Sequence, residues 1–237
     1  MAIESWKRLS AAERRAQLIE LGQKLFNSRR YSDISVDDIA AAAGISKGLL
    51  YHYFPSKEEF FLAGVEHGSE LLIAACDPDP ALPYAEQLVA GVGAYLDYVE
   101  HNSFGYLNLF RGETASLPSM QRVCDRTREA LAARLLRGIE LPAAQTANTR
   151  LAIRGFQGFV EALVLDWLEH GRAQRRQVEL LSLTSILGAL FTGMRLDLSP
   201  DHPRLSQLAT ETSEVAAIVR QRHGFDPFPP ELLQRQA

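Results

Sequence analysis

Cysteine is scarce in this sequence, and several motifs that mark enzymes and metal sites are absent. The two cysteines, Cys76 and Cys124, lie far apart in apolar segments, which favours buried free thiols over a disulfide. There is no glycine-rich phosphate-binding loop, no H-E-x-x-H sequence and no cysteine pair at metal-ligand spacing, and the histidines are scattered. We therefore expect no catalytic residues, no metal and no cofactor.

Long apolar runs are missing as well. The first residues, MAIESWKRLSAAERR, lack the apolar stretch of a secretory signal. The run LVAGVGAYLDYVEHN is interrupted by Asp97 and is too short to cross a bilayer. These features predict a cytoplasmic protein that does not bind membranes.

The charge is distributed unevenly along the chain. The net charge is −4 and the isoelectric point is near 5.9, so the whole protein is not a polycation. Residues 1–61 hold 9 Lys and Arg against 8 Asp and Glu, whereas residues 62–237 hold 16 against 21. A polyanionic partner is therefore expected to meet a local patch in the N-terminal part.

Start and stop signals predict helices nearly throughout. The sequence has no sustained alternation of apolar and polar residues and no Asn-Gly or Asp-Gly hairpin signal. Ser10, Ser35 and Ser56 are each followed three residues later by a carboxylate, which places helix starts near residues 11, 36 and 57. The first helix is expected to end near residue 28, and later helices are expected near 57–75, 82–101, 103–112, 119–140, 146–170, 175–195 and 204–222.

Residues 36–54 predict two short helices joined by a glycine turn. Gly44 suits the left-handed position after the first of them, Ser46 caps the second, and Pro55 stops it after about eight residues. Helix, turn and helix in this order are typical of the helix-turn-helix motif. The apolar underside is expected to consist of Ile45, Leu50 and Phe54, packed on Ile39, Ala42 and the first helix.

The opposite face of this eight-residue helix, KGLLYHY followed by Phe54, combines a lysine with phenol and imidazole rings. Such a helix is about 12 Å long, comparable with the width of the DNA major groove. Lys47 can reach a guanine or a phosphate, Leu49 can contact a thymine methyl group, and the aromatic edges can donate to phosphates or bases. Lys57 begins the next helix, where free amides favour a phosphate. The alternatives are a solvated His52 and tyrosines that belong to the core.

The segment DIAAAAGISKGLLYHYFPSKEEF resembles the TetR family of one-component transcriptional regulators, in which it commonly reads TIAxxAGVSKGTLYxYFxSKEEL. The close match covers about residues 12–62, and the length and helical remainder are also similar to the family. Two positions differ: Leu49 stands where a small or hydroxyl residue is common, which affects base preference, and Pro55 replaces a polar residue. By resemblance, DNA contact is implied for Ser35, Val36, Ser46, Lys47, Gly48, Leu49, Tyr51, His52, Tyr53 and Lys57.

The resemblance implies an all-α protein with two domains. Residues 1–56 would form an N-terminal arm and a three-helix helix-turn-helix DNA-binding domain. Residues 57–237 would form a helical ligand-binding and dimerisation domain, in which 57–75 is the connecting helix. The helices near 146–170 and 175–195 are apolar around much of their circumference, which favours a homodimer over a monomeric bundle. A homodimer predicts a palindromic operator.

The resemblance also implies a small-molecule effector in the middle helices. We expect a hydrophobic or aromatic ligand, although each aromatic residue considered could instead belong to the core. Arg111 and Arg154 could anchor a carboxylate or phosphate, or form surface salt bridges. The candidate effector-binding residues are Tyr84, Tyr95, Tyr98, Phe104, Tyr106, Asn108, Phe110, Arg111, Arg154, Phe156, Gln157 and Phe159.

Three functional questions stay open at the level of sequence. Repression is the default for the family, and the alternatives are an activator or a DNA-binding dimer without small-molecule control. Lys7 and Arg8 in the N-terminal arm could follow the DNA backbone or belong to a disordered end. Residues 197–237 have no assigned role.

Overall fold

A computed structural model describes residues 10–142, 146–224 and 226. Within these ranges the regular structure is helical, with no strand, and the predicted all-α fold is confirmed. The helices are α1 (Ala11–Phe26), α2 (Val36–Ala43), α3 (Lys47–Tyr53), α4 (Lys57–Ala75), α5 (Tyr84–His101), α6 (Ser103–Arg111), α7 (Pro118–Arg137), α8 (Ala147–His170), α9 (Arg175–Asp197) and α10 (Pro203–His223), with one 3₁₀ turn at Glu113–Ser116. The N-terminal arm with Lys7 and Arg8 and the tail after residue 226 lie outside the described residues.

The predicted helices are all present within a few residues of their expected bounds. The capping signals explain this agreement, because Ser10 and Ser35 each form a reciprocal capping box and Ser56 Oγ accepts the Glu59 N–H at 3.1 Å. α3 has seven residues instead of eight, since Phe54 takes an extended conformation before Pro55. The 3₁₀ turn after α6 was not predicted.

The chain packs as two compact units. The first unit contains the residues up to Leu72 together with His101–Thr127, and the second contains Ile73–Glu100 and the residues from Arg128 onwards. α4 and α7 are thus each divided between the units. The domain boundary predicted after residue 56 separates the DNA-binding part of the chain from the ligand-binding part by function, and this division stays a prediction.

The core of the first unit holds α3 in place. Leu50 and Phe54 are 3% and 2% exposed and belong to one cluster with Ile39, Leu18 and Phe60. Gly22 allows α1 to approach this cluster closely, because a Cβ there would lie 2.8 Å from the Phe60 ring. Burial of such side chains stabilises the unit by about 1.5–3 kcal/mol each.

One packing prediction for α2 is wrong. Ala42 is exposed, whereas Ala40 and Ala43 are buried beside Ile39. Ile39, Ala40 and Ala43 form one stripe at helical spacing, and Ala42 lies to the side of it. Ile45 packs against the same cluster, as predicted.

The second unit is built around α8 and α9, which are joined by a short turn and pack along their length. Gly193 on α9 makes the approach close, because a Cβ there would lie 2.6 Å from the Thr149 Cα atom on α8. The carboxylate of Asp197, at the end of α9, accepts the N–H groups of Asn148 and Thr149 at 2.9 and 2.8 Å. The end of α9 therefore caps the beginning of α8.

α10 secures the end of α7 in the second unit. The buried Arg204 pairs with Glu211 at 2.9 Å and donates to the carbonyl oxygens of Ile139 and Gly138 at 3.0 and 3.2 Å. Its guanidinium also lies 5.8 Å from the centre of the Tyr84 ring. These contacts satisfy carbonyl groups that a helix end leaves without intrahelical partners.

α9 is the single helix in the described ranges that is long and apolar enough to cross a membrane. Half of its apolar window is buried inside the protein, as in the core helix of a soluble domain, so this is weak evidence for a membrane span.

Candidate functional site

The turn between α2 and α3 is fixed by backbone geometry and caps. Gly44 has φ 63° and ψ 32°, the left-handed conformation that glycine adopts without steric cost. Ser46 is the N-cap of α3, and its Oγ accepts the Leu49 N–H at 3.2 Å. Ser35 is the N-cap of α2, and its Oγ accepts the Asp38 N–H at 3.0 Å. Both helix starts therefore have defined orientations.

α3 has one buried face and one exposed face, as predicted. Leu49 and Tyr51 are 40% and 42% exposed although both are large and carry apolar surface. Lys47, Gly48 and His52 are exposed beside them. The exposed face of α3 therefore combines a lysine, an imidazole and the apolar surface of Leu49 and Tyr51.

Tyr53 differs from its neighbours on α3. It is half-buried and packs against the core of the first unit, while its ring lies 5.4 Å from that of His52. At the start of α2, Ser35 is exposed and Val36 is half-buried. The exposed part of the predicted set is therefore Ser35, Ser46, Lys47, Gly48, Leu49, Tyr51 and His52.

Both lysines of the predicted DNA-binding set have partners within the protein. Lys47 Nζ lies 3.0 Å from Asp37 Oδ2, and this hydrogen bond raises the pKa of Lys47. Lys57 Nζ lies 4.0 Å from the centre of the Tyr31 ring and donates to the Tyr31 carbonyl oxygen. Partial burial lowers the pKa of Lys57. Lys57 is thus directed at Tyr31 in this structure.

Residues 44–48, GISKG, also fit the G-x-S-x-G pattern of serine hydrolases. In those enzymes the serine lies on a sharp turn from a strand to a helix. Here Ser46 follows a helix, and its hydroxyl caps α3. The pattern therefore has a structural explanation that does not involve catalysis.

A cavity of about 500 Å³ lies within the second unit. Its wall is formed by residues of α5, α7, α8 and α9 together with the segments that follow α4 and α7. Apolar side chains, among them Leu88, Val92, Leu131, Leu135 and Val160, make up much of it. The volume is within the range of 300–1,000 Å³ typical of small-molecule sites.

Four of the predicted effector-binding residues line this cavity: Tyr84, Tyr95, Phe156 and Gln157. Tyr84 donates to the Leu135 carbonyl oxygen at 3.1 Å, and its burial raises its pKa. Gln157 donates to the Arg128 carbonyl oxygen at 2.7 Å. These hydrogen bonds orient polar side chains at the cavity wall.

The other eight predicted effector-binding residues lie outside the cavity wall. Tyr106 and Phe110 pack against each other within the first unit, with ring centres 4.7 Å apart and ring planes tilted by 39°, and Asn108 donates to the Arg29 carbonyl oxygen at 3.5 Å. Phe104 and Phe159 are exposed. The complete set is Tyr98, Phe104, Tyr106, Asn108, Phe110, Arg111, Arg154 and Phe159. A ligand role for them stays a prediction.

Sequence reasoning missed the three arginines of the cavity wall, Arg128, Arg134 and Arg137. Arg128 forms a bidentate pair with Glu161, through Nε to Oε1 at 2.5 Å and Nη2 to Oε2 at 2.8 Å. Arg134 and Arg137 both pair with Asp77. Helical spacing of Arg128, Leu131 and Leu135 on α7 was an available signal, since it predicts one face that mixes apolar and cationic side chains.

Cys76 also lines the cavity. Its burial raises its pKa to about 12, so the thiol is neutral at physiological pH and acts as a small apolar group. This agrees with the expectation of a buried thiol, and neither Cys76 nor Cys124 forms a disulfide.

Comparisons with known proteins give a consistent picture. Residues 18–63 match the sequence model of bacterial regulatory proteins of the tetR family, and residues 84–188 match the model of the tetracyclin repressor-like C-terminal domain. The crystal structure of a tetR-family transcriptional regulator from Streptomyces coelicolor superposes with a TM-score of 0.71 at 27% identity, covering 88% of this chain and 90% of that one.

Curated relatives align over shorter segments. The HTH-type transcriptional activator FasR of Mycolicibacterium smegmatis is 33% identical over 115 residues, which are 48% of this chain and 52% of the relative. The HTH-type transcriptional regulator EthR of the same organism is 41% identical over 59 residues, 25% of this chain and 27% of the relative. The alignments thus span about half or less of the length of these relatives.

Proposed function

The chain belongs to the TetR family of bacterial regulatory proteins, and from this premise we propose that it is a homodimeric repressor that binds a palindromic operator and leaves it when a small effector binds. The observation that carries the proposal is the two-sided α3. Its buried Leu50 and Phe54 fix the helix, and its exposed Lys47 and Tyr51 point away from the core.

The exposed face of α3 matches the chemistry of a DNA major groove. Seven helical residues span about 10 Å, which fits a groove about 12 Å wide. Lys47 binds a guanine or a phosphate, Leu49 contacts a thymine methyl group, and the Tyr51 hydroxyl binds a base edge or the backbone. Gly48 allows close approach of the backbone, while Ser35 and Val36 bring the start of α2 to a phosphate.

An exposed apolar face on α8 and α9 supports the dimer. Leu151 on α8 and Leu196 on α9 are 71% and 68% exposed. Phe159, Leu181 and Phe191 are also exposed on these two helices. A Cβ atom built on Gly155, Gly158 or Gly188 would meet nothing within 4 Å, which leaves room for a second copy. A symmetric pair of helices from each copy would cover this face.

Two copies set the spacing of the DNA contacts. When two α3 helices lie about 34–36 Å apart, they read half-sites one helical turn apart, and the operator is palindromic. A protein that binds DNA in this way acts in the cytoplasm of a bacterium.

The cavity favours a regulator that is controlled by an effector. The alternative, a DNA-binding dimer without small-molecule control, would have no use for such a cavity. Cys76 and Asp77, on the cavity wall, directly follow the end of α4. α4 begins at Lys57, three residues after Phe54. A ligand that binds the two orientations of α4 unequally would shift the equilibrium between DNA-binding and released states.

A second candidate function is transcription activation. The observation that favours it is the likeness to FasR, which is named an activator. The same DNA contacts serve both functions, so the position of the operator relative to the promoter decides between them.

The decisive experiment measures binding to a duplex selected from a random library by the wild-type protein. Lys47→Ala combined with Tyr51→Ala is expected to weaken binding by about 30-fold or more, because each side chain contributes about 1–3 kcal/mol. Lys24→Ala, an exposed lysine of α1, is the control for charge. Unchanged affinity of the double variant, or footprinting protection of one asymmetric half-site by a monomer, would contradict the proposal.

A further inference from the structure

The cavity wall contains six charged side chains that fall into two groups. Arg128 and Glu161 neutralise each other through two hydrogen bonds, and both side chains are about one-fifth exposed. The second group consists of Arg134, Arg137 and Asp77, and Glu140 also lies on the wall. In the second group two arginines share one carboxylate, although with Glu140 the charges of the whole wall sum to zero.

Two guanidinium groups share one carboxylate oxygen in this second group. Arg134 Nε and Arg137 Nη2 both donate to Asp77 Oδ1, at 2.9 and 3.0 Å. Each guanidinium has five N–H groups, so two arginines can bind a carboxylate through several hydrogen bonds at once. The three side chains together carry one net positive charge.

The exposure of these groups favours exchange of the carboxylate. The side chain of Arg134 is 17% exposed, whereas those of Asp77 and Arg137 are 50% and 65% exposed. An ion pair at such exposure contributes little to stability, and Asp77 belongs to the segment after α4. Arg134 is the fixed member of the group, and Asp77 can be replaced at small cost.

Four neutral polar side chains of the wall donate a hydrogen bond to the backbone. Gln87 and Gln157 donate to the carbonyl oxygens of Leu82 and Arg128, both at 2.7 Å. Ser182 donates to the Val178 carbonyl oxygen at 2.8 Å, and Tyr84 donates to that of Leu135. The hydrogen-bonding capacity that these groups keep is neutral, whereas Arg134 and Arg137 offer charge-assisted hydrogen bonds to a carboxylate.

We propose that the effector is an amphipathic carboxylate whose carboxyl group takes the place of Asp77 on Arg134 and Arg137. Its apolar body packs among Leu88, Val92, Leu131 and Phe156. That this ligand is an effector rests on the proposed function. The inference adds the chemical class of the ligand and the ion pair that the ligand breaks in the same cavity. When the ligand displaces Asp77 from the two arginines, the segment after α4 is no longer held to α7. Ligand binding is thereby connected to the movement of α4.

The test uses carboxylates and the alcohols of matching shape as probes: octanoate with octanol, dodecanoate with dodecanol, and 4-phenylbutyrate with 4-phenylbutanol. Dissociation constants are measured by calorimetry on the full chain. The best carboxylate is expected to bind at least tenfold more tightly than its alcohol. Both Arg137→Gln and Arg134→Gln are expected to reduce carboxylate affinity about tenfold and to leave alcohol affinity within twofold. Arg137 is largely exposed, so its variant keeps the fold.

Two further variants sharpen the result. Asp77→Asn removes the internal competitor and is expected to tighten carboxylate binding at least threefold. Arg126→Gln is the matched control, because Arg126 forms an exposed pair with Glu66 at 2.7 Å and does not line the cavity. The inference is overturned when alcohols bind as tightly as carboxylates, when no carboxylate binds at millimolar concentration, or when neither cavity arginine variant weakens binding.

Operator binding separates this inference from the proposed function. Release of the selected duplex by a neutral probe and not by any carboxylate overturns the inference and leaves the proposed function standing. Binding of a carboxylate through Arg134 and Arg137 without loss of duplex affinity supports the ligand class and contradicts effector control. Release by the carboxylate in wild type, and not in Arg137→Gln at the same probe concentration, supports both.

Discussion

The ammonium group of Lys47 lies 3.0 Å from a carboxylate oxygen of Asp37, which ties the first residue of α3 to the first turn of α2. The side chains are 49% and 72% exposed, so solvent screens this pair and it contributes little to stability. It matters more for binding, because Asp37 places a negative charge beside the lysine that is proposed to meet DNA.

Removing this charge is expected to strengthen DNA binding. Asp37→Asn should raise affinity for the selected duplex roughly three- to tenfold. Lys47 then has no carboxylate partner to give up when it binds DNA, and the repulsion between the Asp37 carboxylate and a DNA phosphate is lost. Fluorescence anisotropy at several salt concentrations measures the effect. Glu20→Gln, an exposed acid of α1, is the charge control. Equal affinities of Asp37→Asn and wild type would show that Lys47 does not meet DNA.

The exposed apolar face of α8 and α9 is expected to hold the dimer together. Phe191→Glu and Leu151→Glu should each yield monomers by light scattering, because a buried unpaired charge at a helix interface is strongly unfavourable. Affinity for the palindromic duplex should fall at least tenfold, since the two half-sites are then bound independently. Leu71→Glu is matched in exposure to Phe191 but lies on α4, and it should remain dimeric. If Leu151→Glu and Phe191→Glu both remained dimeric, the proposed interface would be wrong.

Asp197 is expected to stabilise the second unit through its contacts with α8. Its side-chain oxygens accept four hydrogen bonds from Asn148 and Thr149, and Thr149 is fully buried. Asp197→Ala leaves buried donors without acceptors and should lower the free energy of unfolding by about 2–3 kcal/mol. Urea denaturation at pH 7 measures this, with Glu214→Ala, an exposed acid of α10, as control.

The stability that Asp197 contributes is expected to depend on pH. Burial raises the pKa of Asp197, but the hydrogen bonds from Thr149 and Asn148 outweigh burial, so its pKa is lowered overall. The unfolded carboxyl has a pKa of about 3.9. The contribution of Asp197 is therefore fully present above about pH 5 and is lost as the pH falls through the lowered folded pKa. The stability difference between wild type and Asp197→Ala should narrow on acidification, and a constant difference would contradict this account.

The helix-turn-helix could be predicted closely because its signals are local. The caps at Ser35 and Ser46, the left-handed Gly44 and the stop at Pro55 act within a few residues of themselves. The inward and outward faces of α3 follow from a period of 3.6 residues. The misplaced Ala42 shows where this fails: a run of four alanines has no amphipathic pattern that selects one side.

The cavity was predicted only in part because its wall joins distant segments. Aromatic residues of α5 and α6 look alike in sequence, yet Tyr84 and Tyr95 line the cavity whereas Tyr106 and Phe110 pack against each other in the other unit. The arginines of α7 gain meaning only when Asp77, more than 50 residues away, comes within hydrogen-bonding distance.

The sequence alone determined the helices, their ends and the residues that α3 exposes, since hydrogen bonds within a helix and its caps involve neighbours along the chain. Tertiary structure decided which side chains surround the cavity, which charges face each other there and at Lys47, and which glycine allows α8 and α9 to touch. Periodicity selects the face that a helix buries, but long-range packing selects the neighbour that this face meets.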